Sequence, residues 1–123
     1  VGNILWRDDT PHFVDLDDCI TGPVVQDIWM FLNGARDQRE QQLADFIEGY
    51  EEFNDFDARQ LNWIEALRTL RIMHHAAWLA RRWSDPAFPK AFPWFGKQRF
   101  WADHILELRE QLSAMNEPTI RLL

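Results

Sequence analysis

Two side chains near the start of the sequence carry the chemistry of a magnesium site. Asn3 offers a carboxamide oxygen and Asp15 a carboxylate. Magnesium takes hard oxygen ligands, usually one or two from protein and the rest from phosphates and water. Between the two residues, Ile4-Leu5-Trp6 and His12-Phe13-Val14-Asp15-Leu16 read as short strands. The turn-rich Arg7-Asp8-Asp9-Thr10-Pro11 makes them a hairpin. Asn3 at the start of one strand and Asp15 near the end of the other would let two oxygens converge. An Asn and an Asp at this spacing also arise by chance, so ordinary solvated side chains are the alternative. A calcium loop fits poorly: counted from Asp15, the sixth position is Ile20 rather than Gly and the twelfth is Gln26 rather than Glu.

Other candidates have plainer readings beside the chemical one. Asp17 and Asp18 are either support for a metal shell or solvated acids after a strand. Asp27 stands in the first turn of an expected helix, where a carboxylate offsets the helix dipole. His74 and His75 are adjacent on an expected helix and point about 100° apart, which disfavours one shared ion. Arg68, Arg71, Arg81 and Arg82 follow on the same helix, mostly as surface or ion-paired cations, with one or two available to a substrate.

The rest of the chain reads as helices. Thr21-Gly22-Pro23 starts the first, with Pro23 suited to an early helical position. Val25, Ile28, Trp29 and Leu32 form its stripe, and Asn33-Gly34 ends it. The second runs from about Asp37 to Phe53 with Leu43, Phe46, Ile47 and Tyr50 on one face. Asp57 and Gln60 have capping-box spacing before a third helix over 58–83, apolar on several sides and so expected to be buried. Pro86, Pro89 and Pro93 make 84–95 an aromatic loop. A fourth helix covers 97–115, and the tail from Glu117 is expected to be loose. The expected organisation is a hairpin carrying the candidate metal ligands (1–22), a helical subdomain (23–116) and a tail (117–123). The fold class is mainly α: an N-terminal β-hairpin followed by about four helices.

Composition bounds the function. With 46% apolar residues, seven Trp and nine Phe, there is enough material for a core. A net charge of −7 argues against nucleic acid and against anionic membrane surfaces as partners. A lone cysteine, Cys19, excludes an internal disulfide and fits a reducing, cytoplasmic setting. No apolar run reaches the roughly 20 residues of a membrane span. Oligomeric state leaves no trace in the sequence.

Three segments together carry a resemblance. Gly2-Asn3-Ile4-Leu5-Trp6, Phe13-Val14-Asp15-Leu16-Asp17-Asp18 and Gly22-Pro23-x-x-x-Asp27-Ile28-Trp29 resemble the aminoglycoside phosphotransferase/choline kinase superfamily. With Arg81-Arg82-Trp83-x-Asp85-Pro86-Ala87-Phe88-Pro89-Lys90-x-Phe92-Pro93-Trp94, the likeness is greatest to its bacterial stress response kinase A branch. The resemblance implies the C-terminal lobe of an α+β kinase-like fold and transfer of the ATP γ-phosphoryl group with Mg2+. It implies that 1–22 is the end of a catalytic loop plus a metal-binding hairpin. It implies that Asn3 and Asp15 bind magnesium, and Mg-ATP through it, that Asp17 supports them, and that Asp27 braces the catalytic loop. The catalytic Asp of a His-x-Asp is then expected upstream of Val1, and the 123 residues alone are expected to be inactive. The branch points to a protein Ser/Thr hydroxyl as acceptor. A small alcohol of the aminoglycoside, choline or homoserine kind is the other enzyme reading, and a non-catalytic helical interaction module the rival from another class.

Overall fold

The computed structural model describes residues 2–122 and is mainly α, with a β-hairpin followed by helices. Strand β1, Ile4–Arg7, pairs antiparallel with β2, Thr10–Phe13, in the register Ile4↔Phe13, Leu5↔His12, Trp6↔Pro11, Arg7↔Thr10. The connection is the two residues Asp8 and Asp9, at φ 49° and 56°. Positive φ at both central positions is the two-residue hairpin geometry that matches strand twist, and Asp tolerates it better than most residues. The turn is therefore tighter than the five residues expected, and β2 starts two residues earlier. Pro11 fits because antiparallel pairs alternate. Opposite Trp6 it occupies a non-hydrogen-bonded position, so no ladder bond is lost.

Helix α1, Val25–Ile28, passes into a 3-10 turn, Trp29–Phe31. The Gln60 side chain reaches back to it: Gln60 Oε1 accepts the Val25 N–H at 3.2 Å, satisfying a donor of the first turn. Helix α2, Arg36–Glu51, begins after Gly34, whose φ is +84°. A Cβ at Gly34 would also collide with Gln38 Oε1, the atom that accepts the Ala35 N–H at 2.9 Å. Val25, Ile28, Trp29, Leu32, Leu43 and Ile47 are buried, as their helical spacing implies. These elements belong to one compact unit, ending at Gln60 and joined by Leu122.

Leu61–Arg121 form a second unit. The expected third helix begins as a 3-10 stretch, Ala58–Trp63, and becomes α3 at Ile64–Arg82. The capping box does not form. Asp57 Oδ1 accepts the Arg59 N–H at 3.0 Å, while Gln60 serves α1 instead. Nor is α3 buried all round: Ile64, Ala76 and Leu79 are buried, whereas Leu70 and Met73 are exposed.

The proline-rich segment contains a short helix, α4, Ala87–Ala91. Pro89 is its third residue, where a missing N–H costs nothing because the first four helical N–H groups have no intrahelical partner. Asp85 Oδ1 caps it by accepting the Ala87 N–H at 2.9 Å. The segment packs down as expected. Ala76, Leu79 and Phe95 make a buried cluster with Trp78, Trp83, Phe88, Phe92 and Phe100 around it. Ring centroids lie 5.0 Å apart for Trp83–Phe95 and 5.1 Å for Phe95–Phe100, tilted pairs within the distance range of favourable aromatic contacts. Helix α5, Gln98–Ala114, meets α3 through Thr69 Oγ1, 3.3 Å from Gln111 Oε1. The tail is irregular but tied: the Thr119 hydroxyl donates to Asn62 Oδ1 at 2.8 Å.

Candidate active site

The ladder of the hairpin continues one bond beyond its strands. Val14 N–H donates to the Asn3 carbonyl at 3.1 Å, which aligns Asn3 with the end of β2. Asp15 then leaves the extended conformation at φ 61°. A non-glycine residue in this left-handed region is uncommon, though Asp is among those that tolerate it. It ends the strand earlier than the expected Leu16. The consequence is a side-chain pair: Asn3 Nδ2 donates to Asp15 Oδ2 at 3.0 Å.

That contact brings together the two residues whose spacing suggested a metal. With its amide N–H directed at Asp15, Asn3 retains a carbonyl oxygen as acceptor, and Asp15 retains a second carboxylate oxygen. Both residues are exposed, so water or a phosphate can reach them. Two hard oxygens suit magnesium, which fills its remaining positions from phosphate and solvent. Among the described residues there is no group of three or more His, Cys, Asp or Glu that could hold a metal by itself. The donor set therefore fits an ion delivered with a phosphate ligand rather than one caged by protein.

Among the described residues, no side-chain hydrogen bond joins the other expected residues to this pair. Asp17 and Asp18 are exposed in the turn after Leu16, whose carbonyl accepts the Cys19 N–H at 3.2 Å. Asp27 is exposed in the first turn of α1, and its carboxylate has no hydrogen-bond partner among the described residues. His74 and His75 are both exposed; His75 stacks on Trp78 at 6.3 Å. Gln60 was missed as the residue that fixes the helix carrying Asp27. Its capping-box spacing marked it as a cap, but the helix it caps lies 35 positions away in sequence.

With this geometry in view, the comparisons with known proteins decide the family. Residues 1–64 match the Phosphotransferase enzyme family, a span that includes the hairpin, the Asn3–Asp15 pair and Asp27. The chain belongs to the phosphotransferase enzyme family. Over 121 residues it is 50% identical to stress response kinase A of Escherichia coli K12 and 49% identical to that of Shigella flexneri. It is 48% identical over the same length to the serine/threonine protein kinase RdoA of Salmonella typhimurium. Each match covers 98% of this chain and 37% of the relative. The family match ends at 64, but these relatives extend the likeness through the aromatic unit.

Proposed function

We infer that this chain forms the metal-holding hairpin and helical part of an ATP- and magnesium-dependent protein kinase that phosphorylates Ser or Thr. The observation that carries the reading is the Asn3–Asp15 contact at 3.0 Å, inside the segment matched to the phosphotransferase family. The acceptor class is suggested by the relative named a serine/threonine protein kinase.

On this reading, Asn3 and Asp15 hold Mg2+, which when bound offsets charge on the ATP phosphates. Asp15 carries the larger share, since it brings a full negative charge and Asn3 a neutral carbonyl. The hydrogen bond between them fixes both side chains before ATP arrives, which lowers the ordering cost of binding. Asp17 supports this end of the hairpin, and the unpartnered carboxylate of Asp27 is available to brace a catalytic loop. No His-x-Asp occurs in the 123 residues, so by themselves they are expected to be inactive. The reading implies a cytoplasmic protein. Among the described residues no helix is long and apolar enough to cross a membrane.

The test uses the whole protein with labelled ATP, magnesium and two acceptor panels, one of Ser/Thr proteins and one of small alcohols. Label on a protein hydroxyl, lost in Asp15→Ala, supports the proposal. Label only on a small alcohol keeps the phosphotransferase but overturns the acceptor. Absence of transfer to either panel, with ATP binding intact, favours a helical interaction module.

A further inference from the structure

The C-terminal half of α3 carries an open basic hollow that the metal site does not use. His74, Ala77, Trp78, Arg81 and Arg82 line a space of about 450 Å³. Positions 74, 77, 78 and 81 follow helical spacing, and all five lining residues belong to α3, so the site is a groove along one helix face open to solvent. The lining contains no acid, in a chain whose net charge is −7. The nearest acid in sequence, Asp85, has one oxygen committed to capping α4. Four other arginines are paired with acids, Arg36 with Glu40, Arg59 with Asp57, Arg68 with Glu65 and Arg99 with Asp103, though not every other arginine is. Neither Arg81 nor Arg82 has a carboxylate partner among the described residues.

The wall is also held in place. Trp78 packs edge-on against Phe88 at 5.3 Å and Phe92 at 6.3 Å, which ties it to the aromatic core. The Arg82 guanidinium sits 4.7 Å from the centroid of the Trp78 ring. Stacking orients a guanidinium while leaving its N–H edge free for bidentate bonding to an oxyanion. Two arginines in the last turn of a helix also offset its dipole. That role requires neither the stacked indole nor the histidine one turn earlier.

We propose that this open hollow is a binding site for an oxyanion, a carboxylate or phosphate, held by Arg81 and Arg82 against the Trp78 ring. The two sources of that chemistry are an acidic polypeptide segment and free phosphate. The site does not depend on the kinase reading, because its test involves no phosphoryl transfer.

Binding is measured in the whole protein without ATP, by fluorescence anisotropy of a labelled decapeptide rich in Glu, with a Lys-rich decapeptide for comparison and inorganic phosphate as competitor. The acidic peptide should bind and the basic one should not, and added salt should weaken binding. The Arg81→Gln/Arg82→Gln double variant should lose about ten- to a hundredfold in affinity, as expected for lost charge-assisted hydrogen bonds. Arg99→Gln, which removes an exposed cation of α5, should bind like the parent. Far-UV circular dichroism identifies a misfolded double variant; Arg82→Lys, which keeps charge but not planar stacking, then replaces it and should weaken binding several-fold. Displacement by millimolar phosphate alone assigns the site to free phosphate; displacement only by acidic peptides assigns it to a polypeptide. Equal affinity of parent, double variant and Arg82→Lys for every anion, or no anion binding at all, overturns the proposal.

Discussion

The hairpin and the aromatic unit spend the same kinds of residue in opposite ways. In the hairpin, Leu5, Trp6 and Phe13 are 54%, 70% and 64% exposed, and only Ile4 among the strand residues is partly covered. In the unit from Leu61 to Arg121, Leu79 is fully buried and Phe95 nearly so, beneath a shell of Trp and Phe. A two-stranded hairpin cannot stabilise itself by burial and is marginal in water. Its shape is held by turn chemistry, backbone ladder and the Asn3–Asp15 bond. The aromatic unit carries a core with no reactive group inside it: among the described residues no polar or charged residue is fully buried. The segment that holds the proposed site is thus the one with the fewer buried side chains, as is common for sites that must meet ligands.

The comparison can be broken first at the core. Leu79→Ala should cost about 2–5 kcal/mol, the range for a fully buried leucine. Leu5→Ala should change stability by less than about 0.5 kcal/mol, as for an exposed side chain. Denaturant unfolding of the 123-residue chain reads both, and equal costs would mean that the hairpin is part of the core. A smaller effect should follow at the base of α1. Gln60→Ala removes the side-chain acceptor of the Val25 N–H and should cost about 0.5–2 kcal/mol, as for other helix caps. Hydrogen exchange at Val25 should accelerate while α3 keeps its protection.

The smallest effect concerns pH. The hydrogen bonds from Arg59, side chain first and backbone second, hold the Asp57 carboxyl below its ordinary 3.8. A carboxyl depressed in the folded state stabilises the fold above its unfolded pKa, and that contribution is lost as pH falls through the folded value. Asp57→Asn should therefore matter slightly at neutral pH and not at all in strong acid. Thermal melts from neutral to acidic pH should show the two proteins converging.

The elements were largely legible because their signals are local. Val25, Ile28, Trp29 and Leu32 fall on one helical face and are buried; Leu43 and Ile47 do the same on α2. The errors fall where a distant partner or an unusual backbone state decides. Gln60 has the spacing of a local cap, but Val25 is the donor it meets. Asp8, Asp9 and Asp15 adopt positive φ, which shortens the turn at one end and the strand at the other. Leu70 and Met73 look like core in a one-dimensional pattern, yet burial depends on what packs opposite them. Of the site, the Asn3–Asp15 pair was legible because a hairpin relates distant positions by register. Asp27 was legible only as an acid in a first helical turn, since no described contact gives it a further role.

The most direct test is the metal dependence of phosphoryl transfer in the whole protein. Initial rate is measured against magnesium concentration for the parent, Asp15→Ala, Asn3→Ala and Asp17→Ala. Asp15→Ala should be inactive at every concentration, Asn3→Ala partly restored by high magnesium or by manganese, and Asp17→Ala intermediate. Paramagnetic resonance of manganese with ATP supplies a binding readout that does not need turnover, and Asp15→Ala should lose the protein-bound signal. If Asp15→Ala keeps more than about a tenth of the parent rate, a barrier change below ~1.4 kcal/mol, Asp15 is not the metal ligand and the account fails at its centre.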